Sequence, residues 1–390
     1  ESTWIEGDAL RQLDDTARLP GMIRAVGMPD LHPGKGSPVG AAFLSRDVIR
    51  PALVGSDIGC GMALWATDLR ERKARPDRLA ERLEGLDEPW EGGPEAWLAE
   101  RGLAPTPFDR ALGTVGHGNH FAELEAVHEL RDAESFARMG LEEDRVMLLV
   151  HTGSRGFGES VLRAHAERFG AQGLAAGSPE AAAYMTEHDR AVAWAKANRD
   201  LVAHRMLESV GADARPVLDV CHNNVVEAAV DGCACWLHRK GAAPADKGPV
   251  VIPGSRGDVS FLVEPVPDRD DALWSLAHGA GRKLARHEAK AKLKGRWRRE
   301  DLERNPFGGR VVCGDDRLLW EEAPGAYKDA SSVVGDLEAA GLLRVVAVLR
   351  PIVTFKCSLG LARAAAGRDK AARLRERKAA REAKDRRSWR

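Results

Sequence analysis

Cysteine is scarce in this sequence, with 6 in 390 residues, at positions 60, 221, 233, 235, 313 and 357. That density and irregular spacing exclude the disulfide scaffold of small secreted domains. The opening stretch ESTWIEGDAL has no basic start and no apolar core, so nothing there reads as an export signal, and a reducing cytoplasm is expected. No apolar run approaches the roughly 20 residues needed to cross a bilayer, so no membrane partner is expected. An excess of one charge is missing too: 58 Lys and Arg stand against 59 Asp and Glu. This balance neither demands nor forbids a nucleic-acid partner, because local placement of charge decides that. The P-loop pattern G-x-x-x-x-G-K-[ST] does not occur, which excludes that mode of nucleotide binding. No internal repeat is present, which sets stacked-repeat architectures aside.

What remains is the composition of a soluble globular chain, 44% hydrophobic and 30% charged. Up to about Leu69, short apolar runs alternate with Gly and Pro, which predicts strands and tight turns. Asp68 to Leu103 is charged and helix-prone, broken at Gly92-Gly93-Pro94. Ser178 to Val210 has apolar residues at helical spacing and predicts a long amphipathic helix. Val146–Val150, Val217–Cys221, Pro249–Pro253 and Leu343–Phe355 are short apolar runs, most of them followed by Gly-rich polar loops. Strands and helices mix without a βαβ rhythm, so the expected fold class is α+β, a single irregular mixed domain over 1–360. From 361 to 390 the chain turns basic and acid-poor, which reads either as a solvated helical or disordered tail or as an arm for RNA phosphates.

The chemistry lies in polar motifs set among those runs: Asp57-Ile-Gly-Cys60, Gly116-His-Gly-Asn119-His120, His151-Thr-Gly-Ser-Arg155, His222-Asn-Asn224 and His278-Gly-Ala-Gly-Arg282. Any one His after a strand is more often structural than a ligand. Recurrence carries the argument, since Asp57, Cys60, His120, His151 and His222 together make a ligand set for a transition-metal dication. A magnesium site would not need Cys60, and a structural zinc site would space its ligands more closely. Cys233 and Cys235 form a C-x-C pair that reads better as buried packing than as a metal site. The loops Thr152–Gly156, Gly254–Ser260 and Gly279–Arg282 combine small residues, free N–H groups and a guanidinium, a combination that holds phosphate oxygens and points to phosphoryl or nucleotidyl transfer.

The stretches MPDLHPGKGSPVG, SDIGCGM, GHGNHFAE, HTGSRG, CHNN, HRKGA, IPGSRGDVS, AHGAGR, EAPGAYKD and LRPIVTFK, in this order, resemble the RtcB RNA ligases from about Gly21 to Lys356. The resemblance implies stacked sheets around a metal-containing cleft. It also implies joining of RNA 3′-phosphate or 2′,3′-cyclic phosphate ends to 5′-hydroxyl ends, with GTP as co-substrate and two Mn(2+) per active site. It implies that Cys60 bridges the two ions, with His151 and His222 on one and Asp57 and His120 on the other. His278 would carry GMP. Asn119, Glu123, Ser255, Ser260, Tyr327 and Lys356 would hold the guanylate, with Gly279 and Gly281 beside His278. Loop chemistry adds Arg155 and Arg282 as RNA-phosphate contacts, and Arg239 and Lys240 are weighed between that role and a surface salt bridge. Tyr327 could also be a core tyrosine, and Glu123 a helix cap. Expected partners are RNA with broken ends, GTP and a helper protein. The turn Lys35-Gly-Ser37-Pro departs from the family's aromatic-rich one, and Cys357-Ser358 follows Lys356 where a Gly is usual. These departures leave repair and tRNA splicing both open as the physiological role. A phosphodiesterase acting on cyclic-phosphate ends through the same metal set, without nucleophilic His278, is the competing reading.

Overall fold

The computed structural model describes residues 3–83, 85–230 and 232–358, so the basic segment from 361 lies outside the described residues. The fold is α+β. Its principal sheet runs through Val250–Pro253, Ser260–Pro265, Leu343–Cys357, Phe121–Leu130, Arg145–Thr152, Gly61–Arg70 and Ala214–Cys221, with Arg310–Cys313 in parallel beside Leu343–Cys357. A second sheet orders Met22–His32, Val39–Ser45, Cys233–Lys240 and Asn223–Val230. Both faces of the principal sheet are covered. Along Arg145–Thr152, Val146, Leu148 and Val150 enter one apolar cluster while Met147 and Leu149 enter another. This explains the unbroken apolar run, since a strand buried on both sides loses its polar alternation.

Antiparallel register brings the polar motifs together. Gly61 lies opposite both Thr152 and Cys221, and Phe121 lies opposite His151. The residues just before 61 and 121 and those at 151 and 222 therefore share one end of the sheet. His222 itself sits where the chain leaves the principal sheet at Cys221 and enters the second at Asn223. The short pair Ala242–Pro244 and Ser275–Ala277 aligns Ala242 with Ala277, which delivers His278 to the same end.

The long helix runs Pro179–Val210, with Ser178 accepting from the Ala181 N–H at its start, Pro at its first turn and Gly211 in the left-handed region at its end. Val202, Met206 and Val210 pack on the sheet. The expected amphipathic stripe is only part of the account, because Asn198 and Arg199 are fully buried too. Their partners are the loops of the motif end. Asn198 accepts from the Gly113 N–H and donates to the Gly153 carbonyl, while Arg199 donates to the carbonyls of Gly59 and Thr152 at 2.7 and 2.9 Å. One correction falls in the first stretch, expected as strands and turns: Gly7–Ala17 is a helix whose Ala9 and Leu13 pack against Leu31 and Phe43. Their i, i+4 spacing was readable, but Gly and Pro punctuation further along dominated the reading. No helix among the described residues is long and apolar enough to cross a membrane.

Candidate active site

The shared sheet end opens into a cleft of about 450 Å³. On one side, ligand atoms of Cys60, His120 and His151 all lie within 4.8 Å of one another, and the three residues are buried. The Cys60 Sγ is 3.3 Å from the Nε2 of each histidine, and Asp57 Oδ2 is 2.7 Å from His120 Nε2. The His222 ring follows at 5.1 Å from His151. Burial, then the neighbouring imidazoles, hold His151 and His222 well below the usual histidine range, so both are neutral and present lone pairs. Burial, then Asp57, push the Cys60 thiol well up. A dication in the cluster would reverse that, because a coordinated thiol is deprotonated outright. Burial opposes ionisation of Asp57, but His120 outweighs it and the carboxyl stays below its ordinary value. Asp57 Oδ1 is buried without a hydrogen-bond partner. Acceptors converging with an orphaned carboxylate oxygen fit a metal ion better than they fit one another. Glycine is required at 153, where a Cβ would come within 2.2 Å of that same Asp57 Oδ1.

Beyond His222 comes His278, the two rings 4.8 Å apart. Its Nδ1 is 2.7 Å from Asp30 Oδ2, which also accepts the His278 backbone N–H at 3.2 Å. Asp30 is wholly buried, so the imidazole is fixed in position and tautomer and its Nε2 is left for the cleft. Gly281, at φ 72°, allows the Asp30 backbone to approach, since a Cβ there would meet its carbonyl at 2.2 Å. Asp30 stands in the first quoted motif yet was given no role from sequence. A carboxylate two residues before a histidine was the available signal, but its partner lies 248 positions away.

Other candidates divide by position. Asn119, Lys240, Ser255, Gly279, Gly281, Arg282, Tyr327 and Lys356 line the cleft with His278. Ser255 Oγ is buried and unpartnered. Lys356 Nζ donates to the carbonyls of Gly118 and His120, and burial lowers its ammonium to about 8 although Glu322 acts in the other direction. Arg282 donates to Glu322 at 3.2 Å and to the Tyr327 hydroxyl at 3.1 Å, and that hydroxyl donates to Glu322. Tyr327 is thus a bonded member of the cleft wall. Glu322 and Arg286 also line this side, and sequence reading missed both.

Glu123 and Ser260 lie a layer beneath the cleft lining. Glu123 is mid-strand, so it caps no helix. It accepts from Thr354, and burial with the adjacent Glu125 pushes its carboxyl well up. Ser260 donates to Glu125 at 2.6 Å. Arg155 approaches His120 Nδ1 at 3.4 Å from behind the cluster. Arg239 is not brought to the cleft: it is buried, donates to Ser275 and the Trp274 carbonyl, and pairs with the exposed carboxylate of Asp246. Cys235 is buried and Cys233 exposed, both outside the thiol–imidazole cluster. His117 is exposed and His238 buried, and neither joins the cluster.

The profile of a family described as tRNA-splicing ligase RtcB matches residues 12–94 and 104–357. The chain is 50% identical over 363 residues to the RNA-splicing ligase RtcB2 of Escherichia coli, covering 92% of this chain and 95% of that protein. It is 32% identical to the tRNA-splicing ligase RtcB of Archaeoglobus fulgidus, covering 90% and 92% of the two chains. With the RNA-splicing ligase RtcB of Mycobacterium tuberculosis it is 31% identical, over 88% of this chain and all (100%) of the other.

Proposed function

The chain belongs to the RtcB family, and from that premise we propose that it is a GTP- and manganese-dependent RNA ligase joining 3′-phosphate or 2′,3′-cyclic phosphate ends to 5′-hydroxyl ends. The observation that carries the reading is His278, anchored through Nδ1 to a buried carboxylate and facing the same cleft as the thiol–imidazole cluster. A cyclic-phosphate hydrolase needs the metal set but no guanylate contacts, whereas Tyr327 and Lys356 line this cleft beside His278.

With Nδ1 engaged by Asp30, the Nε2 lone pair of His278 attacks the α-phosphorus of GTP. A P–N bond forms and pyrophosphate leaves. Asp30 stabilises the positive charge that grows on the ring, as the acidic partner of a catalytic histidine does. The GMP then passes to an oxygen of the RNA 3′-phosphate, freeing His278 and giving an RNA–ppG end. The incoming 5′-hydroxyl attacks the RNA phosphorus, and GMP departs. Lys356 and Ser255, both lining the cleft, supply donors to phosphate oxygens, and Asn119 and Tyr327 hold the guanylate. Glu123 and Ser260 act from the layer below, and Arg155 bears on the cluster through His120. Lys240 and Arg282 take the RNA phosphates. Asp57, Cys60, His120, His151 and His222 would hold two Mn(2+), which supply Lewis-acid stabilisation of phosphoryl oxygens when bound. RNA splicing, the role in the relatives' names, and RNA repair both use this chemistry, and a helper protein that promotes turnover fits either.

The test is incubation with α-labelled GTP and Mn, then denaturation and a gel. The expected result is label on the protein that acid removes and that His278→Ala lacks. Absence of label with Mn demonstrably bound would overturn the ligase reading.

A further inference from the structure

Two cysteines that the ligase chemistry does not use lie side by side at the end of the principal sheet. Cys313 closes the strand Arg310–Cys313 and Cys357 closes Leu343–Cys357; the strands are parallel neighbours, and these two residues stand directly across from each other. Their sulfurs are 3.8 Å apart. Cys313 is buried, whereas Cys357 is partly exposed. Cys357 is also bonded in sequence to Lys356, whose ammonium lines the cleft.

We propose that Cys313 and Cys357 are a thiol-oxidation site, closed to a disulfide by peroxide, and that closure displaces Lys356 from its place in the cleft. The second clause rests on the reading of Lys356 as a phosphate contact. The first does not. The asymmetry between the two thiols assigns the roles. The hydrogen bond shared with Cys313 chiefly brings the Cys357 thiol down to about 7 against its burial, with help from the backbone of Asp315 and Gly314. The same hydrogen bond, with burial, pushes Cys313 well up. Cys357, the partly exposed sulfur, is therefore the one that meets oxidant, and buried Cys313 the resolving thiol. In balance, the Cys357 thiolate attacks one peroxide oxygen, forming a sulfenic acid and releasing hydroxide. Cys313 sulfur then attacks the sulfenic sulfur, the S–O bond breaks, and the oxygen leaves as water with the Cys313 proton. Two thiols lose two electrons and the peroxide is reduced to water and hydroxide.

The remaining cysteines lack this arrangement. Cys60 and Cys221 are buried with thiols pushed up, chiefly by burial, and Cys233 and Cys235 are cross-strand from Val230 and Ala228. Closure must bring sulfurs 3.8 Å apart to a bond of about 2.05 Å. In the proposal that approach draws on the end of strand Leu343–Cys357, where Lys356 is one peptide bond from Cys357.

The test treats the full chain with stoichiometric hydrogen peroxide, blocks free thiols, and maps non-reduced peptides by mass spectrometry. A linked Cys313–Cys357 peptide, opened by dithiothreitol, is expected. In Cys313→Ser the reaction should stop at a sulfenic acid on Cys357 that dimedone traps. Free Cys313 beside an over-oxidised or untouched Cys357 in the unaltered chain would overturn the pair. GMP labelling of the oxidised chain should fall by about tenfold or more, because small displacements of positioning groups cost rate steeply, and should return on reduction. Cys313→Ser should resist that loss. An equal loss in Cys313→Ser would show that the disulfide is not its cause and would overturn the link to Lys356. A chain that takes no label even when reduced contradicts the ligase reading instead, while the linked peptide still decides the thiol pair.

Discussion

The two sides of the cleft differ in how their charges are settled. On the nucleotide side the charged groups already have protein partners: Lys356 rests on two carbonyls, and Arg282 and Tyr327 share Glu322. On the cluster side, neutral imidazoles, a protonated thiol and a carboxylate with a bare oxygen face one another with little to bind except His120. The first side is largely bonded within the protein, with Ser255 Oγ left unpartnered, and on the proposed reading a nucleotide would exchange some of these bonds on entering. The second gathers acceptors of the kind that suit a cation. The difference teaches that metal and nucleotide should have unequal effects on stability, large for the metal and small for GTP.

The largest expected effect breaks this comparison at Cys60. Saturating Mn should stabilise the unaltered chain by about 2–4 kcal/mol, as for a ligand at a hundred to a thousand times its dissociation constant. Cys60→Ala should lose that stabilisation and the GMP adduct together. His278→Ala should keep the thermal shift with Mn and lose only the adduct. If Cys60→Ala retained a full shift, the cluster would not be the metal site.

Next comes the support beneath the cluster. Arg199 is fully buried, with Asp219 at 2.7 Å and the carbonyls of Gly59 and Thr152 on its other donors. Arg199→Met should cost about 3 kcal/mol or more in denaturant unfolding, because removing one member of a buried pair strands the other's partners. It should also reduce the Mn shift, since Gly59 and Thr152 adjoin Cys60 and His151. A variant that loses stability but binds Mn normally would separate the scaffold from the site.

On the nucleotide side the expected effect is smaller. Tyr327→Phe removes one hydroxyl bonded to Glu322 and Arg282. Stability should change by about 1 kcal/mol, the net value of an ordinary hydrogen bond, while GMP labelling at limiting GTP falls. Unchanged labelling would return Tyr327 to the role of a wall residue.

How much of this was readable in sequence follows the same division. The ligand types were legible because Cys60, His120, His151 and His222 each sit in a polar motif beside a short apolar run, whereas the antiparallel register that gathers them was seen only in the fold. The family motifs supplied the rest of the cleft list. Supporting groups were not legible. Asp30 reaches His278 across 248 positions, and Arg199 reads as one more cation on a long helix until its burial is seen. Arg239 adjoins Lys240 in sequence, but alternation along a strand sends neighbouring side chains to opposite faces. Lys240 lines the cleft, and Arg239 reaches away from it to Asp246 at the surface.

The smallest effect tests whether acid sensitivity also divides between the two regions. His238, outside the cleft lining, is held down to about 4, chiefly by burial, and its Nε2 accepts the Arg50 N–H at 2.9 Å. In the unfolded chain it titrates near 6.5. Between those values the unfolded state binds more protons than the folded one, so its contribution is complete above 6.5 and is lost as pH falls toward 4. His151 and His222 act in the same direction, and Mn makes their part steeper because protonation must also expel the ion. Sites that share no partners contribute additively. His238→Gln should therefore flatten the pH dependence of unfolding by the same increment with and without Mn. An increment that changed with Mn would mean that the second sheet and the cluster are coupled, and the division drawn between the regions would fail.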